Sequence, residues 1–531
     1  MLNSINDVLQ SLFAPAFSLE DLPDFPYEAY SNQLSAYEEM ENWFTGVALD
    51  NQPGLTKKSN LDYYPMRINP LKRTVYKHAY MLFGEAETNA TTQVITKFIP
   101  RSDAQKEACA YAERLIADIW DANSGRALLM ENAILSQIYG GCVFKISYVP
   151  WESKEYGGWR EYPIRIETAN PKEVVLTPEP GDYYRLSDGW VVKQIRAAEA
   201  REYGYNAADE DVYYYYTEHW EKDTYITRIN DQVAYKMIKG EPYPLAGENP
   251  YGLIPLEYIP HIRAGNFLGL NVIDDLKGLI RELNLRMGDY GDAINDDAHP
   301  VIYIRDVNGV PRMVTINDWL EVVDLHSTMS MTGSEKSPTM EEVRSSHASA
   351  AMKDLVEQIL NEYRRDAFIP AVADGEDEGS QRSGMTLATR FWPLISHTAT
   401  ERYFWTPGLN VMQNMILRIL NTKNLAGVTE EHLSLKVKQQ WAPQLPRDRE
   451  AQVTEWQLRR TSEIASIEHL IEMSGDVEDV PEERNKILQD IEDIETIKAK
   501  IAKQFAPEPT FGQPARPASS SSPKKSGGSS K

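Results

Sequence analysis

Between residues 271 and 299 apolar side chains return in steps of three and four: Ile273, Leu276, Ile280, Leu283, Met287, Tyr290 and Ile294. That period is the seam of a long helix. Asp274, Asp275, Lys277, Arg281, Glu282, Arg286 and Asp289 surround the stripe, so the helix is apolar along one narrow line and wet elsewhere. Pro300 stops it and the strand-like run 301–304 follows. Helical spacing resumes over 340–363, with Ser337 and Pro338 as cap and first turn. The excursion between the two helices carries strand-like runs on either side of Asn308 and Gly309, a hairpin signal. Two long helices flanking a small excursion predict a helical hairpin that packs against copies of itself, with the seven apolar residues as the seam between subunits.

Elsewhere the pattern is helical first, then extended, then helical again. Helices are expected over 27–44, over 70–83 with Asn69 as cap and Gly84 as stop, and over 103–121 and 124–139, opened by Asp103 and Ser124. Over 142–259, β-branched and aromatic runs alternate with Pro, Gly, Asn and Asp turns, a β-rich module. Its Tyr213, Tyr214, Tyr215 and Tyr216 read as a strand with rings on both faces, since no Lys or Arg interleaves them as a base-stacking platform requires. Residues 371–383 (AVADGEDEGSQRS) are acids and glycines with little apolar content, a mobile loop. A third long helix is expected over 385–420, kinked or broken at Pro393 and again at Pro407. A β-like run at 433–437 precedes helices over 447–505. The last of these opens with Pro481, Glu482 and Glu483 and closes with Lys498, Lys500 and Lys503, the charge order a helix dipole favours. The stretch 506–531, rich in Pro, Ser, Gly and Lys, is a disordered tail.

Composition narrows the chemistry. The 531 residues suffice for about two to four domains, and 42% hydrophobic content for their cores. A net charge of −24 leaves no basic footprint to grip a duplex, yet suits a surface past which DNA slides. Cys109 and Cys142 are too few for a disulfide framework or a four-thiolate zinc site and fit a reducing compartment. The first residues lack the basic and continuous apolar regions of a signal peptide, and no run approaches the roughly 18 apolar residues of a bilayer span. A soluble chain, intracellular when made, is expected. Phosphate-loop, HExxH, GxSxG and paired CxxC motifs are all missing from the sequence. Asp296, Asp297 and His299 read as a polar helix end, and Asp374, Glu376, Asp377 and Glu378 lack the ligand order of a calcium loop. Cys109 beside His78 would be a thiol–imidazole pair, but Cys109 lies in a helical pattern between alanines and reads as a small buried residue. No catalytic residue, metal ligand or cofactor is assigned. The competing classes are a metal-dependent nuclease or hydrolase using the acidic clusters, and a generic coiled-coil adaptor.

Three phrases, in this order and spacing, give the chain a family resemblance. They are YMLFGE at 80–85, GLIPLEYIP at 252–260 running into GLNVIDDLKGLI at 269–280, and SGMTLATR at 383–390. The succession resembles the portal proteins of tailed bacteriophages over roughly 60–505. The resemblance implies an α+β, mainly helical subunit of a ring of about a dozen copies, a dodecamer, around a DNA channel. It implies a wing over 1–267 and stem helices at 268–298 and 340–370, with a small α/β clip at 299–339. It further implies a tunnel loop at 371–384 carrying Asp374, Glu376, Asp377 and Glu378 into the channel, a kinked wing helix and strand at 385–446, and a helical crown at 447–505. Its implied partners are the terminase large subunit, a head–tail adaptor or connector, the major capsid protein, a scaffolding protein, and double-stranded DNA passing without sequence recognition. No membrane is involved. The place implied is the portal vertex of the virion, reached from the host cytoplasm during assembly.

Overall fold

A computed structural model describes residues 17–50, 67–84, 94–298, 301–305, 314–315, 328–329, 335–336, 339–343, 348–375, 384–442, 449–462, 464–474 and 480–504. The chain divides into two compact units, residues 1–87 with 91–448, and residues 88–90 with 449–531. It is a mixed α+β fold with more helix than strand.

The first unit begins with helices α1 (Tyr27–Thr45), α2 (Leu71–Phe83), α3 (Lys106–Ala122) and α4 (Gly125–Tyr139), close to the expected ranges. The side-chain carbonyl of Asn69 accepts the Leu71 N–H at 3.1 Å, satisfying one of the donors a helix start leaves open. The strands are β1 (Val94–Ile99), β2 (Gly141–Tyr148), β3 (Ile164–Ala169), β4 (Val174–Glu179), β5 (Asp182–Ile195), β6 (Tyr214–Glu221), β7 (Thr224–Ile229) and β8 (Leu256–Pro260). β4, β5, β6 and β7 run in order through an antiparallel six-stranded sheet that Ala246–Glu248 and Gln232–Val233 extend, and β8, β2 and β3 make a separate three-stranded sheet. This is the β-rich module that the alternating pattern predicts.

Helix α5 (Val272–Ala298) follows, then strands β9 (Val301–Arg305) and β10 (Thr339–Val343), then helix α6 (Ala348–Asp366). β9 and β10 pair antiparallel, Val301 opposite Val343 and Arg305 opposite Thr339. The second long helix therefore starts at Ala348 and not at residue 340, which corrects the sequence expectation. A strand partner rich in β-branched residues, Val301, Ile302 and Ile304, satisfies the backbone of 339–343. The Asn308 and Gly309 turn lies outside the described residues, although Val314–Thr315 does pair with β9 as a hairpin requires.

Helix α7 (Gly384–Thr422) runs unbroken for 39 residues through Pro393 and Pro407. Trp405, Leu409, Met412 and Ile416, all buried, hold it in the main core on both sides of Pro407. Tertiary packing thus carries the helix past the missing hydrogen bond. Gly408 allows the approach, because a Cβ there would stand 2.5 Å from Ile259 Cγ1 of β8. Strand β11 (Lys436–Trp441) then pairs with β1; it starts later than the 433–437 run expected, after a short helix Glu430–Leu433. The second unit consists of α8 (Arg449–Thr461), α9 (Ile467–Ser474) and α10 (Val480–Gln504), the last two tied by Arg484 to Glu468 at 2.5 Å. Residues 506–531 lie outside the described residues.

Candidate functional site

The seam of α5 lies inside the chain. Ile273, Leu276, Ile280 and Leu283 are buried, the first three against Tyr37 and Trp43 of α1, Val75 of α2 and Tyr363 of α6. Leu283 packs on Val356 and Ile359. Contacts descend α6 as they climb α5, so the two long helices are antiparallel. Burying each such side chain contributes about 1.5 to 3 kcal/mol to the fold of one subunit. This corrects the expectation of a seven-residue seam between subunits, because a heptad stripe fits a neighbouring helix of its own chain as readily as one from another copy. Met287 and Tyr290 are half-buried, and Ile294 remains 47% exposed. Asn284, buried on the same helix, donates to the Ile68 carbonyl at 2.8 Å and accepts the Ile68 N–H at 2.7 Å, fastening the segment before α2 to α5.

The acidic loop is divided. Residues 371–374 form a 3₁₀ turn, and the Asp374 side chain is only 6% exposed. Its carboxylate meets Lys77, Arg364 at 3.3 Å and Arg73 at 3.6 Å, while Lys77 also donates to the Ala373 carbonyl at 2.8 Å. Asp374 thus anchors the base of the loop and is no free charge in a channel, a second correction. Glu376, Asp377 and Glu378 lie outside the described residues.

Where α2, α4 and α7 meet near the end of β8, three imidazoles and a carboxylate are buried together: His78, His261, His397 and Glu401. His261 follows β8. Its Nδ1 stands 3.0 Å from the Leu270 carbonyl, an acceptor, and therefore donates; its Nε2 stands 2.9 Å from Glu401 Oε1. His397 and Glu401 face one another across one turn of α7, 3.7 Å apart. Gln137 of α4 donates its amide to the same Glu401 oxygen, and His78 Nε2 donates to the Ala367 carbonyl at 2.9 Å beyond the end of α6. Burial pushes the His78 imidazole down and that of His397 to about 3. Burial alone would raise the Glu401 carboxyl, but the His261 hydrogen bond and the surrounding imidazoles outweigh it and hold it low. Residues from α2, α4 and α7 and from the segment after β8 thereby share one buried junction. Sequence reasoning missed it, and its legible trace was the i, i+4 spacing of His397 and Glu401.

Other sequence candidates fall apart. Cys109 is buried in the main core, and His78 bonds to Gln137 and Ala367 instead. The side chains of Asp296 and Asp297, and all of His299, lie outside the described residues. In the tyrosine run, Tyr214 packs on Tyr205 at 5.3 Å and Tyr216 on Tyr203 at 5.1 Å, as strand residues. Tyr216 borders a cavity of ≈ 400 Å³ whose floor holds a buried Lys145 ion-paired to Glu218 and, at 3.2 Å, to Glu167.

Residues 155–504 match the family described as Phage portal protein, SPP1 Gp6-like. The chain belongs to this portal family. No individual curated protein matches it. As a portal protein it is a structural, non-catalytic component that forms a ring-shaped channel in phage genome packaging, which accords with the missing catalytic motifs. Among the described residues of the portal subunit no helix is long and apolar enough to cross a membrane.

Proposed function

We propose that the subunit forms a dodecameric ring at one vertex of the phage head, with 1–267 as wing, α5 and α6 as stem, 299–339 as clip, 371–384 as tunnel loop, 385–446 as wing helix and strand, and 447–505 as crown. The ring docks the terminase large subunit during packaging and a head–tail adaptor afterwards, and contacts the major capsid protein and a scaffolding protein while it assembles in the host cytoplasm. Double-stranded DNA passes through without sequence recognition.

The observation that carries this reading is apolar surface left uncovered on one side of α10: Ile491, Ile494 and Ile497 are 44%, 50% and 54% exposed. A repeated apolar side on a helix that the lone chain leaves wet is what neighbouring copies in a ring would cover. On the stem, Ile294 and the half-buried Tyr290 are the remnant of the seam open to a neighbour. The net charge of −24 per subunit keeps DNA from adhering to the lumen. Replacing Ile491 and Ile494 with lysine tests the ring reading. Subunits that keep their helical circular dichroism but sediment as monomers support it; normal rings from the variant remove α10 from the interface.

A further inference from the structure

We propose that His261, His397 and Glu401 form a binding site for one transition-metal cation of the zinc class in each subunit, a site that does not depend on the ring reading. The donor atoms all lie within 4.8 Å of one another, and all three residues are buried. A tetrahedral zinc ion, with bonds of about 2.0 to 2.1 Å, sets its donors roughly 3.4 Å apart. The separations of 2.9 Å from His261 Nε2 to Glu401 Oε1 and 3.7 Å from His397 Nε2 to the same oxygen bracket that spacing.

Two further observations point to a cation. His397 Nε2 and Glu401 Oε2 are buried without a hydrogen-bond partner among the described residues. Such orphaned atoms are costly, and a cation between them would satisfy both. A bidentate Glu401 then brings the donor count to four. The surroundings are also those of ligands already aimed. The Leu270 carbonyl holds the proton on His261 Nδ1 and so turns Nε2 inward as a lone pair, while the Gln137 amide fixes the carboxylate. With no cation, the 2.9 Å contact between His261 Nε2 and the Glu401 oxygen needs a proton between two buried groups. Imidazole nitrogen with one carboxylate selects zinc, cobalt or nickel over magnesium or calcium. Bound there, the ion would join the end of β8 to the middle of α7, where α5 begins and α6 ends.

The test uses the full-length chain, dialysed against Zn²⁺ and then against metal-free buffer, with zinc measured per subunit. About one equivalent is expected to remain in wild type and in His219→Gln. The His219 control matters because Asp188, His219 and Glu221 are the other grouping of metal-binding side chains among the described residues. His397→Gln and Glu401→Gln should each lose that equivalent. Should those variants not fold, Co²⁺ added to wild type decides. Visible absorption bands of a tetrahedral site, abolished by one equivalent of Zn²⁺ and unaffected by Mg²⁺, uphold the proposal. Wild type that retains no zinc and gives no such bands overturns it and leaves a proton in the cation's place. Zinc that persists in a folded His397→Gln, or disappears in His219→Gln, overturns it equally.

Discussion

Asp374 and Arg364 lie 3.3 Å apart and close the end of α6 onto the base of the acidic loop. Lys77 of α2 and Arg73 share the same carboxylate, so one buried acid ties three segments together. Hydrogen bonds to charged groups contribute about 1.5 to 3 kcal/mol, and removing one partner strands the others. Asp374→Asn should lower unfolding stability by roughly 2 kcal/mol, read as a shifted denaturant midpoint at unchanged slope. A midpoint equal to wild type would mean that the three cations are satisfied by water.

The loop beyond that anchor is a separate matter. Changing Glu376, Asp377 and Glu378 to lysine while keeping Asp374 should leave the fold and the rings intact. If these residues face DNA, it will create a phosphate-binding collar whose grip weakens steeply with salt. Packaging should slow most at low ionic strength. Equal packaging rates for variant and wild type across a salt series would place the loop away from DNA.

Leu283 and Ile294 occupy one stripe of α5 with opposite exposure. Leu283→Asp buries a carboxylate between α5 and α6 and should cost several kcal/mol, enough to unfold the subunit. Ile294→Asp should leave the melting curve of the subunit near wild type and impair only its association. Thermal melts by circular dichroism beside sedimentation separate the two; a stably folded Leu283→Asp subunit would contradict the packing described.

That pair also shows what the sequence holds and what it hides. Period identifies the α5 helix and its apolar line, and the same reasoning reaches α1 to α4, the β-rich module and α7, because each is a local pattern. The partner of a stripe is not local. Ile273, Leu276, Ile280 and Leu283 were legible as a seam, but nothing in their spacing distinguishes α1, α2 and α6 of the same chain from a second copy. Pairing across the chain likewise hid the 339–343 strand, whose partner precedes it by some forty residues. The i, i+4 spacing of His397 and Glu401 was legible, but His261, which stands 136 residues before His397 (397 − 261 = 136), was hidden for the same reason. Asp374 sits within a run of acids in sequence, and only the fold sets it among cations.

Acid and alkali should act on different carboxyls of the β module. Burial alone would raise the Glu218 carboxyl, but the Lys145 charge and hydrogen bonds from Lys145, Tyr216 and Trp220 hold it below its ordinary range. A depressed folded-state value adds stability above the unfolded-state value, near 4.3 for Glu, roughly, and that stability is lost as pH falls through the folded one. Glu257 is the opposite case, raised well above its ordinary range by burial, so its contribution is lost as pH rises through the folded value. Glu218→Gln should therefore weaken the subunit at neutral pH and flatten the acid limb of its stability profile. Glu257→Gln should relieve the loss on the neutral side. Profiles of either variant parallel to wild type would show that these carboxyls titrate alike in folded and unfolded chains.

Whether the subunits close into a channel is measured most directly by imaging the purified full-length chain in negative stain alongside its mass in solution. Hollow rings are expected, with a mass near a dozen times the 60.4 kDa subunit. A solution holding only 60.4 kDa particles without a central hole, at every concentration tested, would contradict the ring.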